Sequence, residues 1–490
     1  MSVYKSLFKS TLVYGIAAVV PKMIGFIMVP YHIKWMNNEN VYGSYSVLFT
    51  WIMIMNALLS FGMETAFFRF YNKLDDKEKV KNNALWFILA ITAVFTLFTL
   101  GFKTQIAQLM DKDPLIIAII IGILALDALV VIPFAILRAH QQSKKYTILK
   151  LINVVVNALL TVFFLYSIPM FINNNPTTSI SHYFSLNFQV GYVYLANLIA
   201  SLVTFLMLFK WYKGLKFTYD WKLNKEMIKY AFPVMIASLA FAINEGIDRV
   251  MIEEILPKGI GEAEAGRYSA CYKIGIFMIL FRMAYSLGIE PFFFNYAKNS
   301  DAQEKYATIT KYFVIFGSCA MLVIIVFADL LKPFLISKKE YWTAMEIVPY
   351  IVLANFMLGI YTNLSVWYKL RDKTHIGALI SIAAACLTIS LNYILIPAVG
   401  IVGAAATSMI AYLVMMVASY FIGQKYYPIP YNTKAISMYL GISVLFSFGY
   451  FYNFRENYFI GIAFILIFVG LIYYNEKTVI NRLLKSIQKK

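Results

Sequence analysis

Residues 42–73 read YGSYSVLFTWIMIMNALLSFGMETAFFRFYNK, and residues 265–299 read AGRYSACYKIGIFMILFRMAYSLGIEPFFFNYAKN. Gly43-x-Tyr45-Ser46 in the first stretch matches Gly266-x-Tyr268-Ser269 in the second. Ser60-x-Gly62-x-Glu64 then matches Ser286-x-Gly288-x-Glu290, each followed by a Phe-rich segment. The offset between the copies moves from 223 to 226 residues, so the second copy carries a three-residue insertion. Counted with its two motifs, each copy is an apolar run of the length that an α-helix needs to cross a bilayer, about 20 residues.

Outward from those stretches, the rest of the 490-residue chain has the same character. Hydrophobic residues make up 61% and charged residues 14%, with a mean hydropathy of +0.68; soluble domains run at roughly 45–50% and 25%. Soluble domains lack the interior to hide so much apolar side chain, so the chain reads as an all-α polytopic membrane protein. Fourteen stretches fit a crossing: 10–30, 41–63, 84–104, 115–138, 147–170, 190–211, 227–250, 268–292, 309–331, 345–368, 375–396, 400–423, 436–453 and 458–475. They are numbered spans 1–14. Span 7 is irregular for Glu245, Asp248 and Arg249, and span 13 for its shortness, Ser443 and Ser447. The opening MSVYKSLFKSTLVYGIAAVV has no small-residue cleavage pattern and reads as a retained first helix. Cys271, Cys319 and Cys386 lie singly in apolar stretches, which gives neither a disulfide framework nor a zinc cluster.

The 43 Lys and Arg against 25 Asp and Glu leave a net charge of +18. No domain-sized polar segment exists to bind nucleic acid, so topology must account for the surplus. With an even number of spans, both termini and alternate linkers share one side and carry 30 Lys and Arg, while the opposite linkers carry 9. Cytoplasmic loops are the ones enriched in Lys and Arg, so both termini are expected in the cytoplasm. The polar linker 171–189 then lies outside, as a solvated loop or a cover over an entrance. The tail NEKTVINRLLKSIQKK is basic and amphipathic, suited to anionic inner-leaflet lipid.

Spans 2 and 8 hold the two copies and are six crossings apart, so both copies keep the same orientation. This is a parallel repeat of six-helix halves, a plan that recurs among transporters. The expected organisation is an N-terminal six-helix bundle over 1–211, a pseudo-symmetric C-terminal one over 212–423, an appended helix pair over 424–475, and a basic cytoplasmic tail over 476–490. Pro21 and Pro233 fall in the first helix of each half, where a lost hydrogen bond promotes a bend.

Four basic residues remain once the linkers are counted: Lys22, Arg249, Lys273 and Arg282. A charge in hydrocarbon is costly, so such residues face a protein interior or an aqueous cavity, or snorkel to the interface. Facing a central cavity, these cations suit a phosphate or pyrophosphate. Lys273 and Arg282, nine residues apart, need not share a helix face. The acidic set is Glu64, Asp127, Glu245, Asp248 and Glu290. Glu64 and Glu290, related by the repeat, fit the bracing of helix ends or a cytoplasmic gate. Asp127 lies deep in span 4 and fits pairing with a cavity cation, or binding of a coupling proton or sodium ion. Glu245 and Asp248, beside Arg249, fit an internal salt-bridge cluster or a coupling role. Asn56, Asn153, Asn157, Asn244, Asn355, Asn363 and Asn392 can bond across helices or line a polar cavity. His32, His140, His182 and His375 form no evident cluster, and no catalytic or metal-binding set stands out.

With these features, the chain resembles bacterial polysaccharide biosynthesis proteins of the Wzx oligosaccharide flippase type, in the superfamily of lipid II flippases and multidrug and toxin extrusion exporters. The resemblance spans the whole chain and is most specific at its start: Gly25 and Pro30 in the first helix, Gly43-Ser44-Tyr45-Ser46 opening span 2, and Gly62-Met63-Glu64 with Phe67-Phe68-Arg69. It implies two six-helix bundles plus an added pair, and transport of a polyprenyl-pyrophosphate-linked oligosaccharide from the inner to the outer leaflet of the cell inner membrane by alternating access. That would serve a surface polysaccharide such as O-antigen or capsule. Lys22, Arg249, Lys273 and Arg282 would be the cavity cations. The resemblance further implies no cofactor beyond proton or sodium coupling, and a monomer among membrane lipids beside polysaccharide polymerase machinery. A cation-coupled multidrug exporter is the alternative that Asp127 keeps open. A polytopic polymerase or ligase is a weaker one, because linker 171–189 has a single histidine, His182, and no Arg.

Overall fold

The computed structural model describes the backbone of residues 3–216, 219–297, 299–371 and 373–487, with side chains from 19 to 478 except at 183, 287, 288, 290, 291, 294 and 295. Glu290 is therefore a candidate whose side chain lies outside the described residues. All regular structure among the described residues is helical. Twelve helices there are long and apolar enough to cross a membrane. The two other expected spans lie in the helix Val3–Trp35, and in Gly261–Tyr272 with Ile276–Tyr296, which a 3-10 turn at Lys273–Gly275 separates. Large apolar side chains such as Leu97, Phe98, Leu159, Leu445 and Phe459 point outward along these helices. That surface is stable against lipid and not against water. The chain is a multi-pass membrane protein.

The helices pack as two compact units, Met1–Gly266 and Arg267–Lys490. In the first unit the helix Pro114–Ala139 (span 4) is central. Pro114 opens it, where the missing N–H costs nothing, and the Asp113 side chain accepts from Leu115 N–H. Its residues Ile117, Ile120, Ile121, Leu124 and Ala128 pack with Leu48, Ile52 and Leu59 of span 2 and with Tyr194 of span 6. Farther along, Ile132 and Ile136 meet Met63, Phe67, Val80, Ala84 and Ile88, together with Leu223, Met227 and Ala231 of span 7. Span 7 (Trp221–Ile255) thus packs in the first unit, although the repeat counts it as the first helix of the second half. Pro21 and Pro233 end neither of their helices, which run Val3–Trp35 and Trp221–Ile255.

Span 2 stops at Leu59 and restarts as the helix Met63–Lys73. Phe61 and Gly62 between them have φ of 50° and 63°, a left-handed pair that breaks the helix. Glycine is also required at 62 for space, since a Cβ there would stand 2.6 Å from the Ala231 carbonyl oxygen.

The second unit is built around span 10, a 3-10 stretch Lys339–Ile347 continuing into the helix Val348–Leu364, whose side chains are almost all buried. The expected helix pair, Thr433–Asn453 and Tyr458–Ile487, packs against span 9 (Ala302–Val326) and is fastened at both ends. At one end the Asp329 carboxylate accepts from Arg455 Nε and Nη2, both at 2.8 Å, and from Lys332 Nζ at 2.6 Å. At the other, buried Glu476 accepts from Lys311 Nζ at 2.8 and 3.0 Å and from the Tyr312 and Tyr439 hydroxyls at 3.3 and 3.4 Å. Glu476, the first residue of the expected tail, is an anchor inside the last helix.

Candidate functional site

The interior of the first unit holds a polar site assembled from four spans. Asp127 of span 4 accepts from Ser201 Oγ of span 6 at 2.7 Å and from Asn56 Nδ2 of span 2 at 3.3 Å. Span 5 adds Lys150, whose ammonium sits 4.3 Å above the Phe134 ring and within electrostatic reach of Asp127 and Glu64. One turn on, Asn153 donates to Thr204 Oγ1 at 3.0 Å. The residues recur at helical spacing, Lys150 with Asn153 and Ser201 with Thr204, so each span turns one polar stripe toward the others. A carboxylate held by two neutral donors, with a cation near but not bonded to it, can take up a proton or a small cation.

Glu64 opens the helix that follows the break in span 2 and accepts from Arg138 Nη1 at 2.5 Å. Both side chains are partly solvated, so the pair joins the ends of spans 2 and 4 without being a deep charge site. Arg249 donates through Nη1 to the Glu245 carbonyl one turn back, at 3.1 Å. Asp248 is buried beside it, and Glu245 is half-buried. Lys22 is on an exposed face of its helix. These three elements of the candidate set belong to the first unit, whereas Lys273 and Arg282 belong to the second.

Span 8 carries that second pair. Lys273 begins the 3-10 turn Lys273–Gly275, and a 3-10 stretch within a longer helix marks a strained or hinged position. Arg282 is half-buried on the helix Ile276–Tyr296. Its stem lies beside Gly359 of span 10, 3.5 Å from where a Cβ would stand. One turn on, Tyr285 donates to Asn363 Oδ1 at 2.6 Å. Phe313 closes this corner, its ring 4.4 Å from that of Tyr285 and 5.5 Å from that of Phe281.

Three functional candidates escape a reading of charge placement. Lys150 reads as a linker residue by count but stands two turns inside a helix, and the signal for it was the Lys150–Asn153 spacing on an apolar background. Tyr285 looks like one aromatic among many. Lys112 reads as an ordinary outer-linker charge, yet its side chain is only 6% exposed and binds Glu253 at 2.7 Å and also Glu262. Among the described residues no group of three or more His, Cys, Asp or Glu could hold a metal ion.

The sequence matches the family described as polysaccharide biosynthesis protein over residues 7–287. The chain belongs to that family. Its fold is that of transporters in the MOP superfamily. The lipid II flippase MurJ in an inward closed conformation superposes with a TM-score of 0.73, at 16% identity, covering 95% of this chain and 99% of the other. An inward-facing multidrug resistance MATE family transporter of the MOP superfamily gives 0.63 at 14% identity, covering 85% and 94%. A MOP superfamily transporter from Pyrococcus furiosus, described as having a binding pocket of reverse polarity, gives 0.57 at 14% identity, covering 86% and 95%. No curated protein matches the chain in sequence.

Proposed function

We propose that this member of the polysaccharide biosynthesis protein family is a flippase that moves a polyprenyl-pyrophosphate-linked oligosaccharide from the inner to the outer leaflet of the cell inner membrane by alternating access. The observation that carries this reading is the half-buried Arg282 on the apolar helix Ile276–Tyr296, in the expected span it shares with Lys273, in a chain of this family. A guanidinium kept in hydrocarbon is costly unless it serves an anionic partner, and its planar fork matches phosphate oxygens. Lys22 and Arg249 are the further cations of this reading. The surplus of Lys and Arg in alternate linkers supports cytoplasmic termini. The protein acts as a monomer and delivers its cargo to polysaccharide polymerase machinery.

Asp127 supports coupling to a proton or sodium gradient, because Ser201 and Asn56 leave its carboxylate in reach of a small cation. The same residue is what a cation-coupled drug exporter would use. One experiment separates the two: translocation of defined lipid-linked oligosaccharides in proteoliposomes, with and without proton and sodium gradients, beside uptake of a lipophilic cation. Wild-type protein should move the glycolipid and leave the cation, and Arg282→Gln should abolish the movement at unchanged protein abundance. Cation transport without glycolipid movement would replace this reading by the exporter one.

A further inference from the structure

Span 8 is interrupted by the three-residue 3-10 turn Lys273–Gly275, whereas span 2, its repeat partner, runs as an unbroken α-helix from Glu39 to Leu59. The two copies also differ in length by three residues between the same motifs, Ser46 to Ser60 in one and Ser269 to Ser286 in the other. A 3-10 helix has 3.0 residues per turn and rises about 2.0 Å per residue. Three residues inserted as one such turn add about 6 Å and one full revolution, so the helix faces on either side keep the relation they have in span 2. Three residues wound as α-helix would rotate the rest of the span by about 300°, a net turn of about 60° off its partner.

The face preserved in this way is occupied. A Cβ on Gly275 would stand 2.7 Å from Ile351 Cγ2 and 3.9 Å from Asn355 Nδ2. Arg282 abuts Gly359, and Tyr285 bonds Asn363. Ile351, Asn355, Gly359 and Asn363 recur at every fourth residue and form one stripe along span 10. Gly275 and Arg282, seven residues apart, both meet that stripe. Lys273, two residues before Gly275, stands about 240° round the 3-10 turn from it, off the stripe and away from Arg282.

We propose that Lys273–Gly275 is an inserted turn that gives the second half an anion-binding lysine with no counterpart in the first, placed there without moving Arg282 off span 10. The anion is a diphosphate, which rests on the cargo proposed above; the register argument does not. Lys273 then offers the group a charge on a side of span 8 that neither span 10 nor Arg282 occupies.

The test uses full-length protein in nanodiscs, with farnesyl diphosphate as probe and inorganic pyrophosphate as competitor, on wild type, Lys273→Gln, a deletion of residues 272–274, which removes one turn and Lys273 while keeping Gly275 against span 10, and a deletion of residues 273–274. The three-residue deletion should fold, with a thermal midpoint within a few degrees of wild type, while the two-residue deletion, which rotates the face, should not. Lys273→Gln and the three-residue deletion should each weaken diphosphate binding about tenfold. If the three-residue deletion fails to fold like the two-residue one, the inserted turn is overturned. If Lys273→Gln binds as tightly as wild type, the anion-binding role is overturned. Folding as expected with no diphosphate binding by wild type would overturn the diphosphate, and the cargo with it, while upholding the insertion.

Discussion

Gly43 and Gly266 meet backbone to backbone, and the contact is reciprocal. A Cβ on Gly43 would strike the Glu262 carbonyl and come within 3.0 Å of the Gly266 nitrogen; a Cβ on Gly266 would strike the Glu39 carbonyl and come within 3.0 Å of the Gly43 nitrogen. Glu39 and Glu262 are themselves 223 residues apart, the spacing of the repeat. Each residue of one copy therefore touches its partner's neighbour, as two copies do across a two-fold axis. Small-residue crossings of this kind let helices approach closely in a membrane.

The prediction from that crossing is symmetric. Gly43→Ala and Gly266→Ala should each destabilise the protein by about 1–3 kcal/mol through overpacking, by similar amounts. The double variant should cost less than the sum, because either methyl alone separates the same two backbones. Thermal unfolding of the four proteins in detergent measures this. Two single variants with wild-type midpoints would show that the helices do not cross here.

Lys112 lies close to the same place and neutralises two carboxylates. Burial lowers the pKa of its ammonium, but Glu253 and Glu262 outweigh burial and hold it above the ordinary lysine value. A pKa raised on folding contributes stability that is present throughout the neutral range and lost only as alkali titrates the amine. Lys112→Met leaves Glu253 and Glu262 without their shared cation and should cost about 3–5 kcal/mol, the scale for breaking a buried pair. Lys112→Met combined with Glu262→Gln should recover part of that loss. Denaturation midpoints of the single and double variants check it, and a double variant as unstable as the single would remove the triad.

Hydropathy locates the helices because a crossing needs an apolar run: among the described residues twelve of the fourteen expected spans match helices long and apolar enough to cross, span 7 included despite its three charges, and the other two coincide with Val3–Trp35 and with the interrupted Gly261–Tyr272 and Ile276–Tyr296. What it left out depends on partners distant in sequence. Nothing near Asp329 announces Arg455, 126 residues on, so the pair 424–475 reads as appended although it packs within the second unit. Lys150 counts with a linker because charge placement cannot show that Phe134 covers it. The repeat revealed a three-residue insertion but left it anywhere between Ser269 and Ser286. Only the turn at Lys273–Gly275 locates it.

Asp329 yields a prediction on pH. Burial raises its carboxyl pKa, but the bonds from Arg455 and Lys332 outweigh that and hold it below the ordinary range. A depressed folded pKa gives stability that is full above the unfolded value, about 3.9, and lost as pH falls through the folded one. Asp329→Asn should therefore lower the unfolding midpoint by a constant amount between pH 8 and 5, and the gap from wild type should close below about pH 4. Circular dichroism melts across that range test it. A gap that widens in acid would show that the carboxylate is not the group holding the helix pair.

Asp127→Asn tests coupling at the site in the first unit. The amide keeps the shape and volume of the carboxyl but cannot bind a proton or sodium ion by charge. Ser201 and Asn56 donate to the two carboxylate oxygens, and an amide with its oxygen on Asn56 Nδ2 and its nitrogen donating to Ser201 Oγ keeps both contacts, since a hydroxyl accepts as well as donates. Folding should thus survive while gradient dependence does not. In proteoliposomes the variant should translocate lipid-linked oligosaccharide at one rate with or without an imposed proton or sodium gradient, where wild type is accelerated by one of them. Ser201→Ala should keep the gradient response at reduced rate, since the carboxylate and its charge remain. A response of Asp127→Asn equal to that of wild type would move coupling away from this carboxylate, toward Glu245 or Asp248 on span 7.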